Sequence, residues 1–149
     1  MALANMTQEQ TNEENRNTCK RIAEELEQYV NGEIYLCPEC GEHVTAEETE
    51  TEEGEIIWKC SCGCTVEEEP EQLSIYDYTS DVLDIEFRCD IRKVYRSCEI
   101  MVTCGGPNIY IDTADAKVKL YWWGDRAEYP ISYTAADALD DWAEEYFNY

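Results

Sequence analysis

Two short cysteine runs are the residues best placed to do chemistry. The first is Cys37-Pro38-Glu39-Cys40-Gly41 and the second is Cys60-Ser61-Cys62-Gly63-Cys64. Two residues between thiols let a tight turn grip one metal ion, and a glycine after the second cysteine permits the positive φ that aims backbone N–H groups at sulfur. The second run offers three thiols for two places. Cys37, Cys40 and Cys62 are therefore the firm ligands, with Cys64 completing a tetrahedral set and Cys60 as the alternative fourth. His43 is one more conceivable donor. Four protein ligands leave no open coordination position, so the expected ion is a structural Zn²⁺ whose binding energy folds residues 31–70.

Little else could catalyse. His43 is the single histidine of the chain, which removes the usual general base and nucleophile activator. With 34 acidic residues, accidental carboxylate pairs are inevitable and carry no information. No phosphate-cradling glycine motif occurs, and Gly105-Gly106-Pro107-Asn108 reads as a hairpin turn. The sequence reads as a binding protein, not an enzyme.

The elements that must position the cysteines follow from periodicity. Residues 1–17 have little apolar content and read as a mobile leader. Thr18 is a candidate N-cap for a helix whose apolar face is Ile22, Leu26, Tyr29 and Val30, ended by Gly32. Residues 18–70 thus hold a helix and a zinc ribbon with rubredoxin-like knuckles, its finger tip carried by seven glutamates between Glu42 and Glu55. Residues 73–82 read as a short helix or an irregular linker.

Alternation at Leu83, Ile85, Phe87 and Cys89, and again at Cys98, Ile100, Val102 and Cys104, marks half-buried strands. Two more strands run through Ile109 and Ile111 and through Val118, Leu120 and Trp122. A final helix opens on Thr134 with Asp137 as a weak capping box, its apolar stripe being Ala135, Ala138 or Leu139, Trp142, Ala143 and Tyr146. The expected fold class is α+β: an N-terminal helix, a zinc ribbon, then an acidic β-β-β-β-α domain over residues 71–149, an antiparallel meander with the last helix packed on it.

Charge and cysteine usage narrow the setting. The net charge is −23, with 18 acidic against 4 basic residues through Pro70 and 16 against 7 after it. Such a chain is repelled by nucleic acids and anionic membranes and is drawn to basic clefts of proteins or ribonucleoproteins. An odd count of nine cysteines, five of them clustered between positions 37 and 64, without a secretory signal or a long apolar run points to a reducing compartment, the cytoplasm. On the last helix Asp137, Asp140, Asp141, Glu144 and Glu145 share one face, roughly one carboxylate per 2–3 Å of axis, close to the phosphate spacing of one DNA strand. Glu47, Glu48, Glu50, Glu52, Glu53 and Glu55 cover the finger, and Glu67, Glu68, Glu69 and Glu71 its exit. Arg88, Arg92, Lys93 and Arg96 form a local basic cluster suited to internal pairing. If Trp122 faces the core, Tyr121 and Trp123 face away as candidate interface anchors, unless a second layer covers them.

The stretch Cys104–Ile131, following a CPEC…CSCGC ribbon, resembles small uncharacterised zinc-ribbon proteins of phages and mobile elements of Gram-positive gut bacteria. By charge and architecture the chain is also similar to anti-CRISPR and antirestriction proteins, which mimic nucleic acid. That similarity implies an inhibitor of a host defence nucleoprotein, most naturally a CRISPR effector, acting in the bacterial host's cytoplasm with no direct nucleic-acid or membrane contact. The rival expectation is a zinc-ribbon adaptor on a transcription or replication complex. A third is a structural protein whose acidity only keeps it dissolved.

Overall fold

The computed structural model describes residues 7–149. It is an α+β fold with two antiparallel sheets joined by a long N-terminal helix and closed by a C-terminal one.

The first helix, α1 (Gln8–Val30), begins three turns earlier than Thr18. Thr7 caps it: its hydroxyl accepts from the Gln10 N–H while the Gln10 side chain accepts from the Thr7 N–H. This reciprocal box satisfies two donors that the first turn leaves orphaned. Thr18 sits inside the helix, its hydroxyl donating to the Glu14 carbonyl. Of the expected leader, residues 1–6 lie outside the described residues and 8–17 are helical.

Six strands and a helix follow: β1 (Ile34–Leu36), β2 (His43–Glu50), β3 (Ile56–Cys60), β4 (Thr65–Val66), β5 (Glu71–Gln72), α2 (Ile75–Thr79) and β6 (Asp84–Cys89). Then come β7 (Tyr95–Thr103), β8 (Asn108–Asp112), β9 (Lys117–Trp122), β10 (Asp125–Pro130) and α3 (Tyr133–Phe147). The first sheet has the order β4-β3-β2-β1-β5 and carries the cysteine turns. The acidic stretch after His43 is a hairpin, β2 paired with β3, and only residues 51–55 form its tip. The ambiguous segment after Leu73 contains α2, capped by Ser74 and Asp77.

The second sheet is a five-stranded meander, β10-β9-β8-β7-β6, one strand longer than the expected four. The added strand is β10, paired with β9 from Asp125–Trp122 to Pro130–Lys117. Its ladder places Ala127 and Tyr129 towards the core and Arg126 and Glu128 away from it, and Pro130 can end it because this is an edge.

Both long helices pack on the same face of this sheet. Cys19, Ala23 and Leu26 of α1 and Ala135, Leu139, Trp142 and Ala143 of α3 meet Cys98, Ile100, Ile109, Ile111, Val118 and Leu120 in one core. The helix that sequence periodicity groups with the ribbon therefore completes the second unit, lying over β9 and β10. Its last turn also reaches the first sheet, where Tyr29 packs with Ile34 and Leu73.

The C-terminal helix is capped by Ser132, whose hydroxyl accepts from the Ala135 N–H, so neither Thr134 nor Asp137 serves as a cap. Ser132 itself donates through N–H and hydroxyl to the Glu27 carboxylate, pinning α3 to α1. Ala136 joins the buried stripe, whereas Tyr146 lies on its exposed flank. No helix among the described residues is long and apolar enough to cross a membrane.

Candidate metal centre

The two cysteine turns face each other across the first sheet. In the first, the Cys37 N–H donates to the Glu42 carbonyl at 2.9 Å and the Gly41 N–H to the Cys37 carbonyl at 2.8 Å. Gly41 holds φ of 73°, a conformation in which a Cβ would be strained. The second turn repeats the device: the Cys60 N–H donates to the Cys64 carbonyl, the Gly63 N–H donates to the Cys60 carbonyl, and Gly63 has φ of 96°.

These turns bring together the sulfurs of Cys37, Cys40, Cys62 and Cys64, all within 4.8 Å of one another. A tetrahedral ion with bonds of about 2.3 Å to sulfur requires S···S edges of roughly 3.8 Å. The Cys37 and Cys62 sulfurs lie 3.6 Å apart, so the set fits such an ion with sub-ångström adjustment. The group could hold a metal ion, and four thiolates would fill a tetrahedral shell.

Cys60, the alternative fourth ligand, is outside that group. Its side chain is buried with Val44 and Cys37 in the small core under the turns, and burial first, then the neighbouring sulfurs, pushes its thiol up to about 11. Cys37 is the opposite case: the backbone N–H groups of Cys40 and Glu39 pull it down to about 6. Crowding by the Cys62 and Cys37 sulfurs pushes Cys64 up to about 12. Four thiols this close resist shedding their protons together, a repulsion that a divalent cation would reverse. His43 is not among the four. Its Nδ1 shares a 2.6 Å hydrogen bond with the Tyr29 hydroxyl, tying the cysteine-bearing sheet to the end of α1.

The acidic and aromatic residues singled out from sequence fall on separate surfaces. Asp137, Asp141, Glu144 and Glu145 are exposed along α3. Asp140 is turned inward and accepts from the Tyr95 hydroxyl at 2.6 Å, and Glu145 accepts from the Tyr76 hydroxyl at 2.7 Å. Two of the five carboxylates are thus engaged by phenols. The six glutamates of the β2–β3 finger and the four at its exit are all exposed.

Tyr121 lies on the side of the second sheet away from α1 and α3, and Trp123 lies beyond the end of β9; both are exposed. Tyr121 packs edge-on against Tyr110. Trp123 and Gly124 form the two-residue β9–β10 turn, with φ of 49° and 82°. Paired positive φ is the geometry for which Asn-Gly is the favoured sequence, and a bulky side chain at the first position is strained. Trp123 is nevertheless 85 % exposed, its ring meeting Trp122 edge-on.

Sequence reasoning did not find the charge network on this open face. Asp112, at the end of β8, accepts from Arg88 Nη1 at 2.9 Å and Nη2 at 3.0 Å and from Lys119 Nζ at 3.2 Å. The burial of its carboxylate would raise its pKa, but the two cations and the backbone N–H groups beyond it hold it well below the usual carboxylate range. The suspected internal pairing of the basic cluster is met by Arg88 with Asp112 and by Arg96 with Asp90. The period-two pattern was the available signal, since Arg88, Asp112 and Lys119 occupy non-core positions of β6, β8 and β9, with Glu99 of β7 between the first two. No protein-family model, curated protein or solved structure matches the chain.

Proposed function

We propose that this chain is an inhibitory binding protein of phage or mobile-element origin that occupies the basic nucleic-acid channel of a host defence nucleoprotein, a CRISPR effector foremost. A structural Zn²⁺ on Cys37, Cys40, Cys62 and Cys64 makes the first sheet a zinc ribbon with rubredoxin-like knuckles. The protein works by binding and not by catalysis: a four-thiolate ion offers no site for substrate, and the one histidine is committed to Tyr29.

The observation that carries the reading is the distribution of charge. Acidic side chains cover both units, while Lys20, Arg88, Arg96, Lys117 and Lys119 are spent in ion pairs within the molecule. The net charge of −23 gives the molecule a negative long-range field, which accelerates association with a basic groove in a salt-dependent way. Trp123 adds a second support. A strained, exposed tryptophan at a hairpin tip costs folding stability, and such strain concentrates where a side chain serves recognition.

The test is competition for DNA between the protein and a guide-loaded effector, measured by fluorescence anisotropy at low and high salt. Asp137, Asp141 and Glu144 are changed together to lysine, since Asp140 and Glu145 have internal partners. The expected outcome is inhibition weakened at least tenfold and a shallower salt dependence. Trp123→Asn should weaken inhibition while leaving the fold at least as stable, because Asn-Gly suits this turn. Inhibition unaffected by charge reversal, or binding that leaves DNA in place as an adaptor would, contradicts the proposal.

A further inference from the structure

On the far side of Tyr29 from His43, a cleft of about 210 Å³ opens between α1, α2 and the end of β7. That exceeds the roughly 150 Å³ of an engineered cavity able to take up benzene. Val82 and Val102 supply apolar wall. Tyr29 and Tyr78 also line it, their rings packed against each other with centroids 5.1 Å apart and planes inclined by 59°.

The remaining lining is negative. Glu25, Asp77 and Asp81 all border the cleft. Asp77 is partly used, since one of its oxygens accepts from the Ser74 N–H at 2.8 Å. Glu25 and Asp81 form no ion pair among the described residues. Their fields converge inside: after burial, Glu25, Asp77 and Asp81 raise the Tyr29 phenol, and Glu25 raises that of Tyr78. Both hydroxyls therefore remain neutral at physiological pH. No cationic side chain lines the space.

An anion would be repelled here and a purely apolar guest would leave the carboxylates without a counter-charge. A compact ammonium would have to surrender strong hydration to reach the rings. A guanidinium meets each requirement, because it is planar, permanently charged, weakly hydrated, able to stack on aromatic faces and able to fork onto carboxylates. We propose that this cleft receives an arginine side chain presented by a basic polypeptide partner. The site stands apart from the mimicry reading: it needs no nucleic-acid groove, and loss of competition with DNA would leave it intact.

The probe is the peptide acetyl-Gly-Arg-Gly-amide, titrated into the full chain while methyl and aromatic NMR signals are followed. Citrulline and lysine versions of the peptide serve as controls. The arginine peptide should produce saturable shifts at the Val82 and Val102 methyls and the Tyr78 ring. Citrulline, the neutral isostere, should bind about tenfold more weakly, and lysine more weakly than arginine. Glu25→Gln and Asp81→Asn, both on exposed rim positions, should each weaken binding about threefold, whereas Glu52→Gln and Glu53→Gln on the distant finger should not. Equal binding of citrulline or lysine overturns the assignment, as do shifts spread over both acidic units without saturation at Val102. These comparisons use the unmodified protein, so they decide the matter even if a variant folds poorly.

Discussion

Replacing Asp112 by asparagine keeps the side-chain shape and removes one buried charge. The carboxylate is 4 % exposed and accepts two bonds from Arg88, one from Lys119 and one from the Ala114 N–H at 2.9 Å. Removing one member of a buried ion pair costs about 3–5 kcal/mol, mostly because the partner remains desolvated. Here the partners are not wholly stranded. Lys119 keeps Asp115 at 2.6 Å, and Arg88, 36 % exposed, keeps Glu99 at 3.6 Å and access to water. Solvent and the surviving contacts reduce the cost to about 2–3 kcal/mol, a fall in Tm of roughly 6–9 °C for a chain of this length.

The pH dependence follows from the direction of the shift. Asp112 is depressed in the fold relative to an unfolded value of about 3.9. Its contribution is therefore complete above that value and is lost progressively as pH falls towards the lower folded one. Protonation of the other carboxylates is common to both proteins, so the stability gap between wild type and Asp112→Asn should narrow from about pH 5 towards pH 2. Urea unfolding measures the gap, and hydrogen exchange at the Ile100 and Val118 amides localises it to the second sheet. A gap below about 0.5 kcal/mol at neutral pH, or one independent of pH, refutes the reasoning.

Ser132→Ala removes the cap of α3 and a bond to Glu27, and should lower stability by about 1–2 kcal/mol in thermal unfolding, whereas Thr134→Ala should be nearly silent. Tyr95→Phe leaves Asp140 without its phenol and should cost about 1–2 kcal/mol by the same measurement. Chelation should raise hydrogen exchange steeply across residues 34–66 while the amides of β7 to β9 stay protected. The first sheet has only small clusters around Val44 and Ile34, whereas the second has an extensive core of its own.

How much of this is legible in the chain depends on where apolar side chains fall. Ile100, Val118 and Leu120 alternate strictly, and their strands are readable to within three residues. The first three turns of α1 bury almost nothing, so periodicity is silent there and only the Thr7-x-x-Gln10 box betrays the start. Strand β10 escapes notice because its inward side is merely Ala127 and Tyr129 and its end is proline. The cysteine group is legible because turn geometry dictates ligand spacing, but the choice of Cys64 over Cys60 depends on which sulfur the strand pairing turns into the small core. The bond between Tyr29 and His43, and the arrangement of Arg88, Asp112 and Lys119, arise from register between distant segments, which local pattern does not encode.

X-ray absorption at the zinc K-edge of the purified full chain, with metal quantified per protein, tests the four-thiolate centre most directly. The expected result is one zinc per chain, four sulfur scatterers at about 2.3 Å, and an unchanged shell in Cys60→Ser. A shell containing nitrogen from His43, a shell altered by Cys60→Ser, or protein that folds fully without bound metal would contradict it.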